Sequence, residues 1–216
     1  MSSSAVHPEI EVILFDVGGV LLTNGWDHLE RAAVYGHFQL DASDQAEIEA
    51  RHPDPYDAWE RDAISPDAYL DQVIFFKPRP FSREEFVRVM KQASQPIPDS
   101  ARGTLEALAA SNHQRFQRML GLLNNESRLL HEYRMETYGL SGLFQVQFSS
   151  CYLGLRKPDQ AIYRRALDIL GLPGERVLFL DDRAGNVAAA MHSGMRAIQF
   201  TGEASLRASL ESLQIL

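Results

Sequence analysis

The chain has 216 residues, of which 45% are hydrophobic and 23% are charged. This length suits one domain or a core with a smaller companion, and the composition fits neither a disordered chain nor a membrane protein. Lys and Arg number 21 against 29 Asp and Glu, a formal net charge of -8. That balance argues against nucleic acid as a partner, because binding to a phosphate backbone is largely electrostatic. A small phosphorylated substrate stays compatible, since it needs only a local cationic or metal site.

The chain has a single cysteine, Cys151, so it cannot form an intramolecular disulfide. A reducing compartment is the natural setting for such a chain. The first residues have neither the basic region nor the apolar region of a signal peptide. No apolar run in the sequence approaches the ~18 residues of a transmembrane helix. We therefore expect a cytoplasmic protein without a membrane partner, in which residues 1–8 form a flexible tail.

The first predicted element is a buried strand. Val12–Phe15 is a short, β-rich and fully apolar run, which is typical of a parallel sheet. From about residue 24 to residue 98 the pattern changes to helical segments and prolines without a clear buried strand. A proline-rich stretch, 95–99, is predicted to be the linker out of this region.

After the linker, strand and helix patterns alternate. Extended segments are expected at 119–123, 144–148, 177–180 and 197–200, and helices at 101–110, 126–138, 159–170, 186–193 and 204–213. Such alternation predicts an α/β fold, a Rossmann-like parallel sheet with helices on both faces. The predicted domains are a Rossmann-like core of residues 1–24 and 98–216 and a small helical insertion, 25–97, after the first strand.

Four separate stretches each join an apolar run to a polar group. In a parallel sheet, ligands bind outside the carboxyl ends of the strands, so these side chains are expected to meet in one crevice. Together they supply three carboxylates, an amide and an ammonium group, a set that suits one metal ion and one phosphate. The residues are Asp16, Asn124, Lys157, Asp181 and Asp182.

Each of these residues also has a simpler interpretation. Asp16 is either a nucleophile or a strand end before a glycine turn, and this motif alone does not decide between them. One of Asp181 and Asp182 could cap the next helix. Two adjacent carboxylates at the end of a buried strand repel each other, however, and a hard cation such as Mg²⁺ would neutralise them. We favour the metal site.

Lys157 lies just before a proline that marks a helix start, where the helix dipole disfavours a cation. A bound anion would turn this penalty into a phosphate site, and Arg156 adds to the local positive charge. Alternatively, both side chains extend into solvent. The Asn124 amide could donate to a phosphoryl oxygen, although on its own this segment is better explained as a helix start.

Taken together, the four motifs resemble those of the haloacid dehalogenase-like hydrolase superfamily, whose members are mostly Mg²⁺-dependent phosphatases. The matching segments, in chain order, are 15–21, 123–125, 157–158 and 179–186. The helical insertion resembles the cap that closes over the site in this family. Segments 60–65 and 155–158 are most similar to a capped phosphatase branch that includes α-glucose-1-phosphate phosphatase.

The resemblance implies a role for each carboxylate. Asp16 would be the nucleophile that forms an aspartyl-phosphate, and it would also bind Mg²⁺. Asp182 would be the main acidic metal ligand, with Asp181 beside it. The backbone carbonyl of Gly18 would supply a further ligand.

The resemblance also implies the groups that hold the substrate. Lys157 would neutralise the transferring phosphoryl group and Asn124 would orient it. Both act through positioning and charge, which dominate the catalysis of phosphoryl transfer. The expected substrate-binding residues are Asn125, Gly19 and Arg61.

The chain departs from the family pattern at two positions. The family usually has an Asp two residues after the nucleophile, acting as general acid and base, where this chain has Gly18. Losing such a group typically costs ~10²–10⁴ in rate, so an easier leaving group, a water or a cap residue would compensate. Glu60 and Asp62 are the cap candidates. The second departure is Asn124, where Ser or Thr is usual.

The sequence thus predicts a hydrolase of a small phosphomonoester, such as a sugar phosphate, with Mg²⁺ as cofactor. Two alternatives stay open. One is a metal-independent 2-haloacid dehalogenase, against which the Asp181-Asp182 pair argues. The other is a non-catalytic relative that binds a phosphometabolite but has lost turnover with the acid/base group. The oligomeric state is not predicted.

Overall fold

Five parallel strands form a sheet in the order β3-β2-β1-β4-β5. The structure is a computed structural model that describes residues 9–114 and 118–216. The tail expected at residues 1–8 lies outside the described residues. The strands are β1 Val12–Phe15, β2 Met119–Asn124, β3 Val146–Ser149, β4 Val177–Asp181 and β5 Arg196–Gln199.

The register of the central strand β1 places the polar residues of three strands at one edge. Val12 pairs with Met119 of β2 and Val177 of β4, so the three strands run level. Their carboxyl ends therefore lie side by side. The two faces of β1 are both buried: Ile13 and Phe15 pack into one apolar cluster, and the alternate residues pack into another. A strand covered on both faces has to be apolar throughout, as the sequence indicated.

Helices cover both faces of the sheet. Those that precede, connect or follow strands β2 to β5 are α6 Arg102–Gln114, α7 Arg128–Thr137, α8 Ser150–Leu153, α9 Gln160–Leu170, α10 Ala184–His192 and α11 Glu203–Ser212. Buried residues of α6 and α11 join the cluster on one face, and those of α9 and α10 join the other. The α/β class with a parallel sheet and two helical layers is thereby confirmed.

Five helices lie between β1 and α6, with no strand among the described residues of this insertion. They are α1 His28–His37, α2 Ala42–Arg51, α3 Pro53–Glu60, α4 Pro66–Val73 and α5 Arg83–Gln92. Their apolar faces form a separate cluster rich in aromatic rings. In it Trp59 stacks on Tyr69 with ring centroids 4.4 Å apart, and Trp26 donates a hydrogen bond to the Tyr69 hydroxyl. The division at 25–97 remains a prediction, and Trp59 has a packing role.

The structure differs from the sequence prediction mainly at element ends. Helix α7 begins at Arg128 rather than at 126, because β2 continues to Asn124 and Ser127 has the extended backbone of an N-cap. The short helix α8 was not predicted, since four residues are too few to display a helical period. None of the described helices is both long and apolar enough to cross a membrane.

Candidate active site

The side chain of Lys157 joins two strand ends. Its Nζ lies 2.9 Å from Asp16 Oδ2 and 2.6 Å from Asp181 Oδ2. The side chain is only 1% exposed, so the alternative in which it extends into solvent is wrong. Burial alone would lower the pKa of Lys157, but Asp16 and Asp181 raise it above the ordinary value. The ammonium group therefore stays charged between the two carboxylates.

Asp181 is fully buried and its oxygens are occupied by protein donors. Oδ1 accepts hydrogen bonds from the backbone N–H of Arg183 and from Asn186 Nδ2, and Oδ2 accepts from Lys157 and the same amide. This environment compensates the burial of the charge. Asp181 therefore positions Lys157 and the start of α10, and neither of its oxygens is free of protein donors.

Asp182 has the free oxygen of the acidic pair. Its Oδ1 is buried and has no hydrogen-bond partner. Burial and the neighbouring Asp181 raise the pKa of Asp182. Oxygen atoms of Asp16, Asp181 and Asp182 all lie within 4.8 Å of one another. Carboxylate oxygens so gathered are the ligands that hard divalent cations prefer.

Gly19 accommodates the Asp182 carboxylate. A Cβ at position 19 would lie 2.2 Å from Asp182 Oδ2, and the backbone φ of +69° also favours glycine. The sequence suggested that this glycine lets the backbone approach a bound anion. In the structure the anion that approaches it is the side chain of Asp182.

Burial raises the pKa of Asp16 to about 7, because desolvation of the carboxylate outweighs the opposing effect of Lys157. Its Oδ1 accepts a hydrogen bond from the backbone N–H of Val17 at 2.7 Å. Asp16 thus lies just after β1, with Oδ1 accepting from the Val17 N–H and Oδ2 beside Lys157. A carboxylate in this setting can act as a nucleophile once it is ionised.

A side chain at position 18 would be in tight contact with Asn24. A Cβ on Gly18 would lie 3.0 Å from Asn24 Oδ1 and 3.3 Å from Asn24 Cα. Both residues line the same cavity as Asp16. Asn24 was not among the residues that the sequence singled out, because its closeness to position 18 depends on the fold of the intervening loop.

The two asparagines after β2 have different environments. Asn124 is buried at the strand end and its Oδ1 has no hydrogen-bond partner. Asn125 makes two hydrogen bonds to the backbone of Lys157, from its Nδ2 to the carbonyl and to its Oδ1 from the N–H, both 2.8 Å. Its amide thus holds the segment that carries Lys157. Asn125 also lines the cavity of Asp16, and its expected role in substrate binding stays a prediction.

A small cavity of about 70 Å³ lies over the strand ends. This is far below the roughly 300–1,000 Å³ of typical ligand pockets, so only a small group such as a phosphate fits in this conformation. The insertion closes the cavity from above with polar groups. The described residues that line it are Asp16, Gly18, Asn24, Asp27, Tyr56, Glu60, Asn125, Arg134, Arg156, Lys157, Arg183 and Asn186.

Ion pairs connect the insertion to the sheet side of the cavity. Arg156 lies 2.8 Å from Asp57 Oδ1 and 2.7 Å from Glu60 Oε2, both in α3. Arg183 lies 2.6 Å from Asp27, which precedes α1. Arg156, which the sequence suggested for an anion site, is thus already paired with carboxylates of the insertion.

Arg61 and Asp62 lie outside the small cavity. Arg61 pairs with Asp57 at 2.9 Å and borders an adjoining open groove. Asp62 accepts hydrogen bonds from Arg128. Of the two carboxylates that the sequence offered to replace the missing acid/base group, only Glu60 lines the cavity of Asp16.

The fold and the strand-end cluster define an α/β hydrolase type of site, and comparison with known proteins agrees. The family model for haloacid dehalogenase-like hydrolases matches residues 10–194. The chain therefore belongs to the haloacid dehalogenase-like hydrolase family, as its motifs predicted. The finer resemblance to α-glucose-1-phosphate phosphatase stays a prediction.

Two curated relatives match most of the chain. Sesquiterpene phosphatase astK of Aspergillus oryzae is 27% identical over 203 residues, which cover 94% of this chain and 95% of that protein. Flavin mononucleotide hydrolase 1 of Arabidopsis thaliana is 27% identical over 168 residues, which cover 78% of this chain and 65% of that protein. A local match to drimenol cyclase drtB of Aspergillus calidoustus, 43% identical over 58 residues, spans 27% of this chain and only 11% of that protein.

A solved structure has the same fold. The HAD-family enzyme BT-2542 of Bacteroides thetaiotaomicron, in complex with magnesium and inorganic phosphate, superimposes with a TM-score of 0.71. The two sequences are 17% identical, and the match covers 89% of this chain and 95% of that one. At this identity the likeness establishes the fold alone.

Proposed function

We propose that this hydrolase is a Mg²⁺-dependent phosphatase that cleaves a small phosphomonoester through an aspartyl-phosphate on Asp16. The main support is one arrangement: Asp16 and Asp182 lie in a single acidic cluster, and Lys157 forms an ion pair with Asp16. One end of the sheet thus holds a nucleophile, a carboxylate oxygen without a hydrogen-bond partner and a buried ammonium group. Phosphoryl transfer requires this combination of positioning and charge.

The residues fit a magnesium ion. The buried Oδ1 of Asp182 has no protein partner, and a cation would supply the missing interaction. Asp16 and the backbone carbonyl of Gly18 would complete the protein ligands, with Asp181 in support. All of these donors are oxygen atoms, which Mg²⁺ prefers. When bound, the ion would neutralise phosphoryl charge and favour the ionised form of the carboxylates.

The chain's own residues divide the remaining work. The Asp16 carboxylate attacks phosphorus and the bond to the leaving oxygen breaks, which leaves the phosphoryl group on Asp16. Water then hydrolyses this acyl phosphate and regenerates the carboxylate. Lys157 reduces the repulsion between Asp16 and the incoming dianion, while Asn124, at the end of β2, would orient the phosphoryl oxygens. A covalent intermediate divides one difficult step into two easier steps.

The polar lining of the cavity favours a polar leaving group. Asp27, Tyr56 and Glu60 face it from the insertion, and Arg156 and Arg183 face it from the core. The two relatives that match most of the chain are named for flavin mononucleotide and for a sesquiterpene. Charged groups around the cavity suit a polar ligand such as a nucleotide better than an apolar chain. A sugar phosphate is the substrate class to test first. The cytoplasmic location stays a prediction from the single cysteine.

The experiment that tests the proposal is phosphate release from a panel of phosphomonoesters, with and without Mg²⁺, for wild type and Asp16→Asn. The expected result is turnover that requires Mg²⁺ and is abolished by the substitution. Metal-independent release of halide from 2-haloacids would identify a dehalogenase instead. Mg²⁺ and phosphate binding without turnover on any substrate would identify a non-catalytic relative, to which the glycine at position 18 would point.

A further inference from the structure

A phosphatase of this kind has to move protons, and position 18 cannot do so. The leaving oxygen needs a proton in the first step, and the attacking water has to lose one in the second. Gly18 has no side chain, and a Cβ there would be in tight contact with the nearby Asn24. The following inference about a further catalytic residue rests on the proposed function, because it concerns the proton in that same reaction.

The cavity offers few groups that could transfer this proton. Arg134, Arg156 and Arg183 remain charged at all relevant pH values. Among the described residues that line the cavity, those that titrate and are not already engaged with Asp16 are Asp27, Tyr56 and Glu60. All three belong to the insertion, so the side chains of the cavity that could transfer the proton lie on the cap side.

Two of these groups are poorly suited. Burial raises the pKa of the Tyr56 phenol well above its ordinary value, so it cannot become a base near neutral pH. Burial also acts on Asp27, but hydrogen bonds from His28 outweigh it and lower the pKa of that carboxyl. Asp27 is moreover paired with Arg183 at 2.6 Å. It therefore remains an ionised ion-pair partner and is a weak proton donor.

Glu60 is held at the cavity by both parts of the structure. It is the last residue of α3, and its backbone carbonyl accepts a hydrogen bond from Ser150 Oγ of the core at 2.7 Å. Its carboxyl is 3% exposed, and Oε2 lies 2.7 Å from Arg156 without the alignment of a hydrogen bond. A buried carboxyl that faces a cavity with an incompletely satisfied oxygen is suited to give and take a proton.

The charges around Glu60 come from four elements, and their effects on its pKa oppose one another. Burial raises the pKa of Glu60, whereas Arg156, Tyr56 and Arg183 lower it and Asp57 raises it. Burial prevails, so the neutral acid is populated at a higher pH than for an exposed glutamate. The facing groups are Tyr56 and Asp57 of α3, Glu126 before α7, Arg156 before α9 and Arg183 before α10.

We propose that Glu60 is the general acid and base of this enzyme, a catalytic residue contributed by the cap in place of the side chain absent at position 18. In the first step Asp16 bonds to phosphorus, the bond from phosphorus to the leaving oxygen breaks, and that oxygen takes the proton of the Glu60 carboxyl. In the second step water bonds to phosphorus, its proton passes to the Glu60 carboxylate, and the Asp16–phosphorus bond breaks. The sum is phosphomonoester and water giving alcohol and hydrogen phosphate, with Glu60 restored.

The test compares two leaving groups in wild type and Glu60→Gln. With an alkyl phosphate from the active members of the panel, kcat is expected to fall by about 10²–10⁴. With p-nitrophenyl phosphate the leaving group departs without a proton, so the first step should persist and the second should slow. The expected record is therefore a burst of one equivalent of p-nitrophenolate per enzyme, followed by slow turnover.

Asp62→Asn is the matched control, because Asp62 is a nearby carboxylate of the insertion that does not line the cavity. It should retain wild-type kinetics with both substrates. A purely structural role of Glu60 would reduce both substrates equally and give no burst, and that result would overturn the proposal. So would wild-type kinetics in Glu60→Gln. If that variant does not fold, Glu60→Asp serves instead. A larger loss with the alkyl phosphate than with p-nitrophenyl phosphate supports the proposal, and equal loss for both substrates opposes it.

The proposed function and this inference fail in different ways. Absence of Asp16-dependent turnover in wild type would refute the phosphatase, and the role of Glu60 with it. Turnover that is lost in Asp16→Asn but unchanged in Glu60→Gln would support the phosphatase and refute only the role of Glu60.

Discussion

Asn24 lies close to the space that a side chain at position 18 would enter, with its Oδ1 3.0 Å and its Cα 3.3 Å from the place of a Cβ on Gly18. The contact with the backbone atom matters more than the contact with the amide, because a side chain can rotate away, whereas the Cα moves only with the loop that follows β1. An acid/base side chain at position 18 would therefore require this loop to shift by a few tenths of an ångström.

Gly18→Asp is accordingly expected to destabilise the protein by about 1–3 kcal/mol, the usual cost of overpacking, and not to increase activity. Asn24→Gly should relieve part of this cost by removing the amide. Chemical denaturation of wild type, both single variants and the double variant gives the coupling energy between the two positions. Additive effects would mean that Asn24 does not exclude the side chain.

Asp182→Asn should have opposite effects with and without Mg²⁺. Without the ion the variant is expected to melt at a higher temperature than wild type, because it removes a half-buried charge that Asp181 repels. With Mg²⁺ at about 100 times its dissociation constant, wild type should gain roughly 2.7 kcal/mol, and the variant should gain little. Thermal melts over a Mg²⁺ titration measure both effects. Asp168→Asn, an exposed position on α9, is the control and should respond as wild type does.

Two outcomes would contradict these expectations for Asp182→Asn. Equal stabilisation of wild type and Asp182→Asn by Mg²⁺ would place the ion elsewhere, and a lower melting temperature without the ion would mean that the unpartnered oxygen has an interaction in solution.

Much of the fold follows from local pattern. The run Val12–Phe15 is apolar throughout because both faces of β1 are covered, and this is why a short segment sufficed to predict a buried strand. The alternation after residue 98 likewise follows from burial of each strand between two layers of helices. The order of the strands and the short helix α8 could not be predicted, since both depend on contacts between segments distant in sequence.

The composition of the site was predictable to a similar extent. Polar residues at strand ends were correctly expected to lie together, because parallel strands share one carboxyl edge. The individual contacts were not. Gly19 contacts Asp182 and Asn125 binds the backbone of Lys157, and neither pairing has a signature in spacing. Nor does the sequence distinguish Glu60 from Asp62, which only the orientation of α3 separates.

His52 should make the stability of the insertion sensitive to acid. Its burial, together with Arg31, lowers its pKa from 6.5 to about 4, and its Nδ1 is 2.8 Å from the Tyr69 hydroxyl. Because the folded-state pKa is depressed, protonation favours the unfolded chain. The contribution of His52 is complete above pH 6.5 and is lost as the pH falls from 6.5 toward 4.

Wild type is therefore expected to lose about 2–3 kcal/mol more than His52→Gln between pH 7 and pH 4. Glutamine can keep the hydrogen bond to Tyr69 but does not titrate. Denaturant unfolding of both proteins at several pH values measures the difference. Carboxylates that titrate in the same range contribute equally to both proteins, so their contribution cancels in the comparison. Parallel stability curves would contradict a neutral His52 in the folded state.

Asn125 tests whether a residue at the site acts on substrate or through another residue. Its amide makes two 2.8 Å hydrogen bonds to the backbone of Lys157, so Asn125→Ala should displace that lysine from Asp16. A displacement of this kind typically costs about 10²-fold in rate, and we expect kcat to fall by this amount with KM little changed. Asn125→Asp keeps the acceptor for the N–H of Lys157 but loses the donor, and should be intermediate. A rise in KM at constant kcat would instead mean that Asn125 binds the substrate directly.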